Sequence, residues 1–120
     1  MFNSWGQRLE EGSVVYRGAR QGNSSEYKVG VVESLKPGKN PRIKWRFEAT
    51  VRWIRIDGEQ VLVPCIWSMN SAGSPSIDGL VVVDFDLDEL ERRAQFFKSI
   101  NGVAFNSLQE FNVALATFQM

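Results

Sequence analysis

The dipeptide Asp57-Gly58 constrains this chain more than any other feature. It separates two runs rich in β-branched and aromatic residues, Pro41–Ile56 on one side and Glu59–Trp67 on the other. Both central residues of a type I′ turn need positive φ, which Asp and Gly tolerate best, so the pair predicts a tight β-hairpin. Counting outward from a two-residue loop sets Ile56 opposite Glu59, Ile54 opposite Val61 and Trp53 opposite Leu62. Ile54, Ile56 and Val61 then share one face, and Val51, Trp53 and Leu62 the other. A hairpin apolar on both faces belongs in the middle of a sheet or in a small curled barrel.

The rest of the chain supplies the partners. Ser13–Arg17 reads as a short strand, followed by a polar, Gly-punctuated loop over Gly18–Glu26. Tyr27–Leu35 reads as a second strand, in which Gly30 signals a bulge or sharp bend. A turn at Lys36–Pro41 leads into Arg42–Phe47, and the hairpin's first strand continues or restarts near Thr50. Ser68–Gly79 is a small-residue loop, and Leu80–Phe85 a buried apolar strand. In the first twelve residues, Trp5 and Leu9 fit either a short helical turn or a Trp5 anchor for the terminus.

After Phe85 the period changes. Leu87, Leu90, Ala94 and Phe97 recur at helical spacing, with Asp86 as N-cap, Glu89 completing a capping box and Asn101-Gly102 as the stop. A second helix is expected from about Ser107, capped by Asn106 with Gln109 at its third position, its stripe made of Leu108, Phe111, Leu115 and Phe118. These signals give one α+β domain over residues 1–120: five or six antiparallel strands over 12–85, then a two-helix hairpin over 86–120 packed on them.

The pattern Gly12-Ser-Val-Val-Tyr-Arg, a polar loop, Tyr27-Lys-Val-Gly-Val-Val-Glu-Ser-Leu, a Pro-Gly turn and Arg42-Ile-Lys-Trp resembles the opening hairpins of SH3-like small barrels. Within that group it is most similar to the KOW and Tudor-like type, over roughly residues 12–67. It also resembles small proteins of actinobacterial phages that begin with such a barrel. The resemblance implies a five-stranded barrel that binds nucleic acid or protein, often through exposed aromatics. The C-terminal helical pair departs from that simple pattern.

Composition narrows the chemistry. An apolar fraction of 43% and a charged fraction of 23% are ordinary for a globular protein. No apolar run reaches the roughly 18–20 residues of a spanning helix, and the N-terminus lacks a signal-peptide pattern. Cys65, the one cysteine, lies in an apolar strand and reads as a small buried hydrophobe, consistent with a reducing cytoplasm. The absence of histidine excludes Ser-His-Asp and Cys-His nucleophiles. No P-loop, zinc-ligand set or dinucleotide fingerprint is present, so neither an enzyme nor a cofactor is expected. Asp84 and Asp86 could together hold a divalent cation, but helix capping by Asp86 explains them more simply.

Charge is the remaining signal. The net charge is zero, yet residues 1–60 carry eleven Lys/Arg against seven Asp/Glu, and residues 61–120 three against seven. Lys36, Lys39, Arg42, Lys44, Arg46, Arg52 and Arg55 cluster around the hairpin, interleaved with Trp45, Phe47 and Trp53. Alternation places Arg42, Lys44 and Arg46 on one face and Ile43, Trp45 and Phe47 on the other, cations outward and rings toward the core. The leading expectation is a non-catalytic module that binds nucleic acid through this basic strand face. The competing expectation is a protein-interaction module, a phage host-modulating or assembly factor or a homo-oligomer, that uses Phe96, Phe97, Phe111 and Phe118 of the helices.

Overall fold

The structure, a computed structural model, describes the backbone of residues 1–21, 24–100 and 108–119. It describes their side chains except at 19–21, 24–26, 63–64, 99–100, 108, 111, 115 and 117–119. The chain is α+β: strands β1 (Val14–Gln21), β2 (Ser24–Ser34), β3 (Arg42–Ile56), β4 (Glu59–Gly73) and β5 (Val81–Val82), then helices α1 (Leu87–Ile100) and α2 (Leu108–Gln119). The strands form one five-stranded sheet in the order β4-β3-β2-β1-β5. β1 pairs antiparallel with both β2 and β5.

The Asp57-Gly58 turn is as its residues require: φ is 55° at Asp57 and 76° at Gly58. The strands around it are longer than the residue pattern predicts. β3 runs unbroken for 15 residues, and β4 continues through Ser68–Gly73, where a small-residue loop is expected. Within the expected loop Gly18–Glu26, residues 18–21 and 24–26 are strand. β1 and β2 stay in register out to Gln21 opposite Ser24, because backbone pairing with a neighbour outweighs the low strand propensity of Gly and Ser. Leu80–Phe85 errs in the other direction. Only Val81–Val82 is strand; Leu80 is buried, and Phe85 is exposed.

The chain forms two compact units, each built from two stretches of sequence. The first takes in Met1–Glu48 and Ser68–Phe85, the second Ala49–Trp67 and Asp86–Met120. β3 and β4 therefore run through both. The core of the first unit gathers Leu9, Val15, Val32, Ile43, Trp45 and Leu80, with Leu35, Met69, Ile77 and Val82 packed around them. At Gly30, β2 lies close against β3. A Cβ there would lie 2.6 Å from the Lys44 carbonyl oxygen and under 3 Å from atoms of Ile43 and Trp45.

The N-terminal stretch is held by amides rather than by Trp5, which is 78% exposed. The Asn3 Oδ1 accepts hydrogen bonds from the backbone N–H groups of Trp5 and Gln7, tying a tight turn. The Asn3 Nδ2 donates to the Leu80 carbonyl at 3.0 Å. Gln7 donates from Nε2 to the Val82 carbonyl and accepts at Oε1 from the Val82 N–H. One side-chain carboxamide thus takes the place of a peptide group along β5, and pairing of this kind blunts an otherwise open sheet edge.

In the second unit, Ile56, Ile66, Ala94 and Phe96 are buried. Asp86 caps α1 as its position predicts, its Oδ1 accepting from the N–H groups of Asp88 and Glu89. Glu89 does not close a capping box: its carboxylate pairs with Arg93, four residues on, at 2.7 Å. α1 and α2 touch each other. The expected stop at Asn101-Gly102 and cap at Asn106 lie outside the described residues. No described helix is long and apolar enough to cross a membrane.

Candidate nucleic-acid interface

β3 carries the candidate site, and its burial pattern changes phase part-way along. In the first half the odd positions are inside: Ile43, Trp45 and Phe47 are buried, whereas Arg42 and Lys44 are exposed and Arg46 half-buried. The alternation of cations outward and rings inward is therefore observed here. In the second half Val51–Trp53 are all exposed, and burial returns at even positions only at Ile54 and Ile56. Ile56 is buried and Ile54 half-buried, while Val51 and Trp53 stand 59% and 65% exposed. Leu62 of β4 is also exposed. Around the Asp57-Gly58 turn, then, Ile54 and Ile56 turn inward, and Val51, Trp53 and Leu62 stay open to solvent.

The seven cations divide between the two units. Lys36 and Lys39 lie exposed in the turn before β3, and Arg42, Lys44 and Arg46 form a row along one face of the first unit. Arg42 pairs with Glu33 of β2 at 3.5 Å, both side chains about half exposed. Such a surface pair contributes about 1 kcal/mol at most and leaves Arg42 available to a stronger anion. The Arg46 guanidinium lies 5.8 Å from the centroid of the Phe47 ring, at the outer reach of a cation–π contact. Arg52 and Arg55 belong to the second unit. Arg52 sits 5.4 Å from the centroid of the Trp67 ring, and alternation turns Arg55 to the opposite side of β3 from Arg52.

Two residues missed by the sequence pattern share the face of the first row. Tyr16 of β1 and Tyr27 of β2 stack nearly parallel, ring centroids 5.6 Å apart with 16° between planes. In the β1–β2 register Tyr16 lies opposite Val29 and Gly18 opposite Tyr27, so both rings project from one side. Glu33 has the same parity on β2 as Val29 and Tyr27, and its ion pair with Arg42 fixes that side as the cationic one. Partial burial and the neighbouring Tyr27 phenol together raise the Tyr16 pKa. The only signal for this pair in the sequence was the β1–β2 register, which the apparent loop at Gly18–Glu26 concealed.

The alternative site on the helices is reduced by the structure. Phe96 is buried, its ring edge-on to half-buried Phe97 with centroids 5.2 Å apart, so Phe96 is not a free contact surface. The side chains of Phe111 and Phe118 lie outside the described residues. Burial raises the Cys65 pKa, partly opposed by the positive charge of Arg52. Among the described residues no three His, Cys, Asp or Glu side chains gather into a metal-binding group. No known protein family, curated protein or solved structure matches the chain.

Proposed function

We propose that this protein is a non-catalytic, cytoplasmic nucleic-acid-binding module that contacts phosphates through the Arg42, Lys44 and Arg46 face of β3. The structural frame of this reading is an SH3-like small barrel of the KOW or Tudor-like type followed by a helical hairpin, as in small phage proteins. One observation carries it. The first half of β3 turns Arg42 and Lys44 to solvent, with Arg46 half-buried beside them, while Ile43, Trp45 and Phe47 are buried, so the row is held on a strand rather than on a loop. A fixed row of positive charge recognises a polyanion at little ordering cost.

Binding of this kind is electrostatic and falls with salt. Each neutralised phosphate adds roughly 0.7–0.9 to the slope of log K against log salt, so three contacts give about −2 to −3. Fluorescence anisotropy of labelled oligonucleotides, at low and at physiological salt, is the test. Lys44→Glu is expected to weaken binding and to flatten the slope by about 1 or more. Absence of binding to any oligonucleotide at low salt, or binding indifferent to Lys44→Glu, overturns the reading.

A further inference from the structure

The cationic row does not stand alone on its face. Arg42 and Glu33 pair across neighbouring strands β3 and β2, and Val31, Val29 and Tyr27 follow Glu33 along the same face of β2. Gly30 of β2 lies against the middle of the row, because the atoms nearest its missing side chain belong to Ile43, Lys44 and Trp45. Tyr27, three residues before Gly30 on β2, lies toward the Arg46 end of the row. Tyr27 is 39% exposed, and its ring is backed by that of Tyr16. Opposite it is Gly18, where a Cβ would approach the ring to 3.4 Å; glycine keeps that flank clear.

Resting on the basic-face reading above, we propose that the preferred ligand of this face is single-stranded nucleic acid. An unpaired base stacks on Tyr27, and its neighbouring phosphates lie along Arg46, Lys44 and Arg42. A flat ring next to fixed cations discriminates between strand states, because a duplex keeps its base faces stacked inside and offers the ring nothing. Tyr16 supports the platform, so a bound base extends a stack already two rings deep. Charge supplies attraction for both strand states, and Tyr27 supplies the preference between them.

The test uses the full chain and labelled oligothymidine and oligouridine of about 15 nucleotides, the length of a typical single-strand site, beside a duplex of equal length. Tyr27→Leu keeps an apolar side chain but removes the ring. It is expected to weaken single-strand binding roughly 5- to 150-fold, the range of one lost base–aromatic stack, and to leave duplex binding and the salt slope unchanged. Tyr27→Phe keeps the ring and is expected to bind like the wild type. A matching circular dichroism spectrum for each variant separates lost stacking from lost folding. If Tyr27→Leu and wild type bind single strands alike, or if the wild type prefers duplex, the stacking platform is refuted. The basic face survives that result as long as Lys44→Glu still weakens binding and flattens its salt slope. Thymidine and uridine strands bound alike assign the preference to the unpaired base, and a strong bias for uridine strands assigns it to RNA.

Discussion

Replacing Gly30 by alanine tests the most exacting contact in the first unit. The added methyl would sit 2.6 Å from the Lys44 carbonyl oxygen, 2.8 Å from Cγ2 of Ile43 and 2.9 Å from Cε3 of Trp45. Ordinary contact begins at about 3.4 Å, and the nearest atom is backbone, which cannot rotate away. The neighbours Ile43 and Trp45 are themselves core residues, so relief requires β2 and β3 to part. Overpacking of this kind costs typically 1–3 kcal/mol, and three close contacts at once place Gly30→Ala near about 3 kcal/mol. For a chain of this size that lowers the melting temperature by roughly 8–15 °C. The opposite sign is expected wherever space is available, since Gly→Ala at a compatible backbone stabilises by about 0.4–1 kcal/mol through the unfolded chain. Gly73 provides that control, its Cβ position 3.7 Å from the Trp45 Nε1 and otherwise open. Urea unfolding followed by circular dichroism measures both variants, with an unchanged m-value required for the comparison. A Gly30→Ala variant within about 0.5 kcal/mol of the wild type, or more stable than it, refutes the close approach of the two strands.

Gln7→Ala removes both hydrogen bonds to Val82 and leaves two backbone groups unpaired; a loss of about 1–3 kcal/mol is expected, with faster hydrogen exchange at the Val82 amide. Trp45→Ala is expected to cost about 3–5 kcal/mol because the ring is buried, whereas Trp53→Ala at its exposed position is expected to cost less than about 1 kcal/mol; chemical denaturation of the two variants decides it. The folded state raises the pKa of both Cys65 and Tyr16, so over the alkaline range the unfolded chain holds fewer protons than the folded one. Stability from these groups is therefore complete below the unfolded thiol value of about 8.5 and falls as pH rises through the higher folded values. Denaturation between neutral and alkaline pH should show this decline, made shallower by Cys65→Ala.

Much of the architecture was legible because its signals are local. Asp57-Gly58 states its own turn geometry, Asp86 its cap, and Arg42–Phe47 its two faces. The rest depended on pairings between distant segments. Gly18–Gln21 and Ser68–Gly73 lack strand-forming side chains and become strand by hydrogen bonding to a neighbour. The docking of Asn3 and Gln7 on Leu80 and Val82 has no period to detect, because side-chain amides reach the edge of β5 from a turn. The phase change in β3 was half visible. Apolar residues on both faces of the hairpin were plain in the sequence, but which half would bury which face was not. Tyr16 and Tyr27 are eleven positions apart and meet only through the β1–β2 register.

The two-part composition of the first unit bears on how such a chain can be shortened or lengthened. That unit is interrupted between Glu48 and Ser68, and the excursion leaves and returns along strands that neighbour each other in the sheet. Counted out from Asp57-Gly58, Glu48 falls opposite Trp67. A tight turn can therefore join the strands at that level without removing any of Leu9, Val15, Val32, Ile43, Trp45 or Leu80. The outer hairpin is then a graft site, where chain can be deleted, extended or exchanged while Arg42, Lys44, Arg46 and the tyrosine pair keep their places. A single cut cannot achieve the same separation, because each unit is made from chain on both sides of the other.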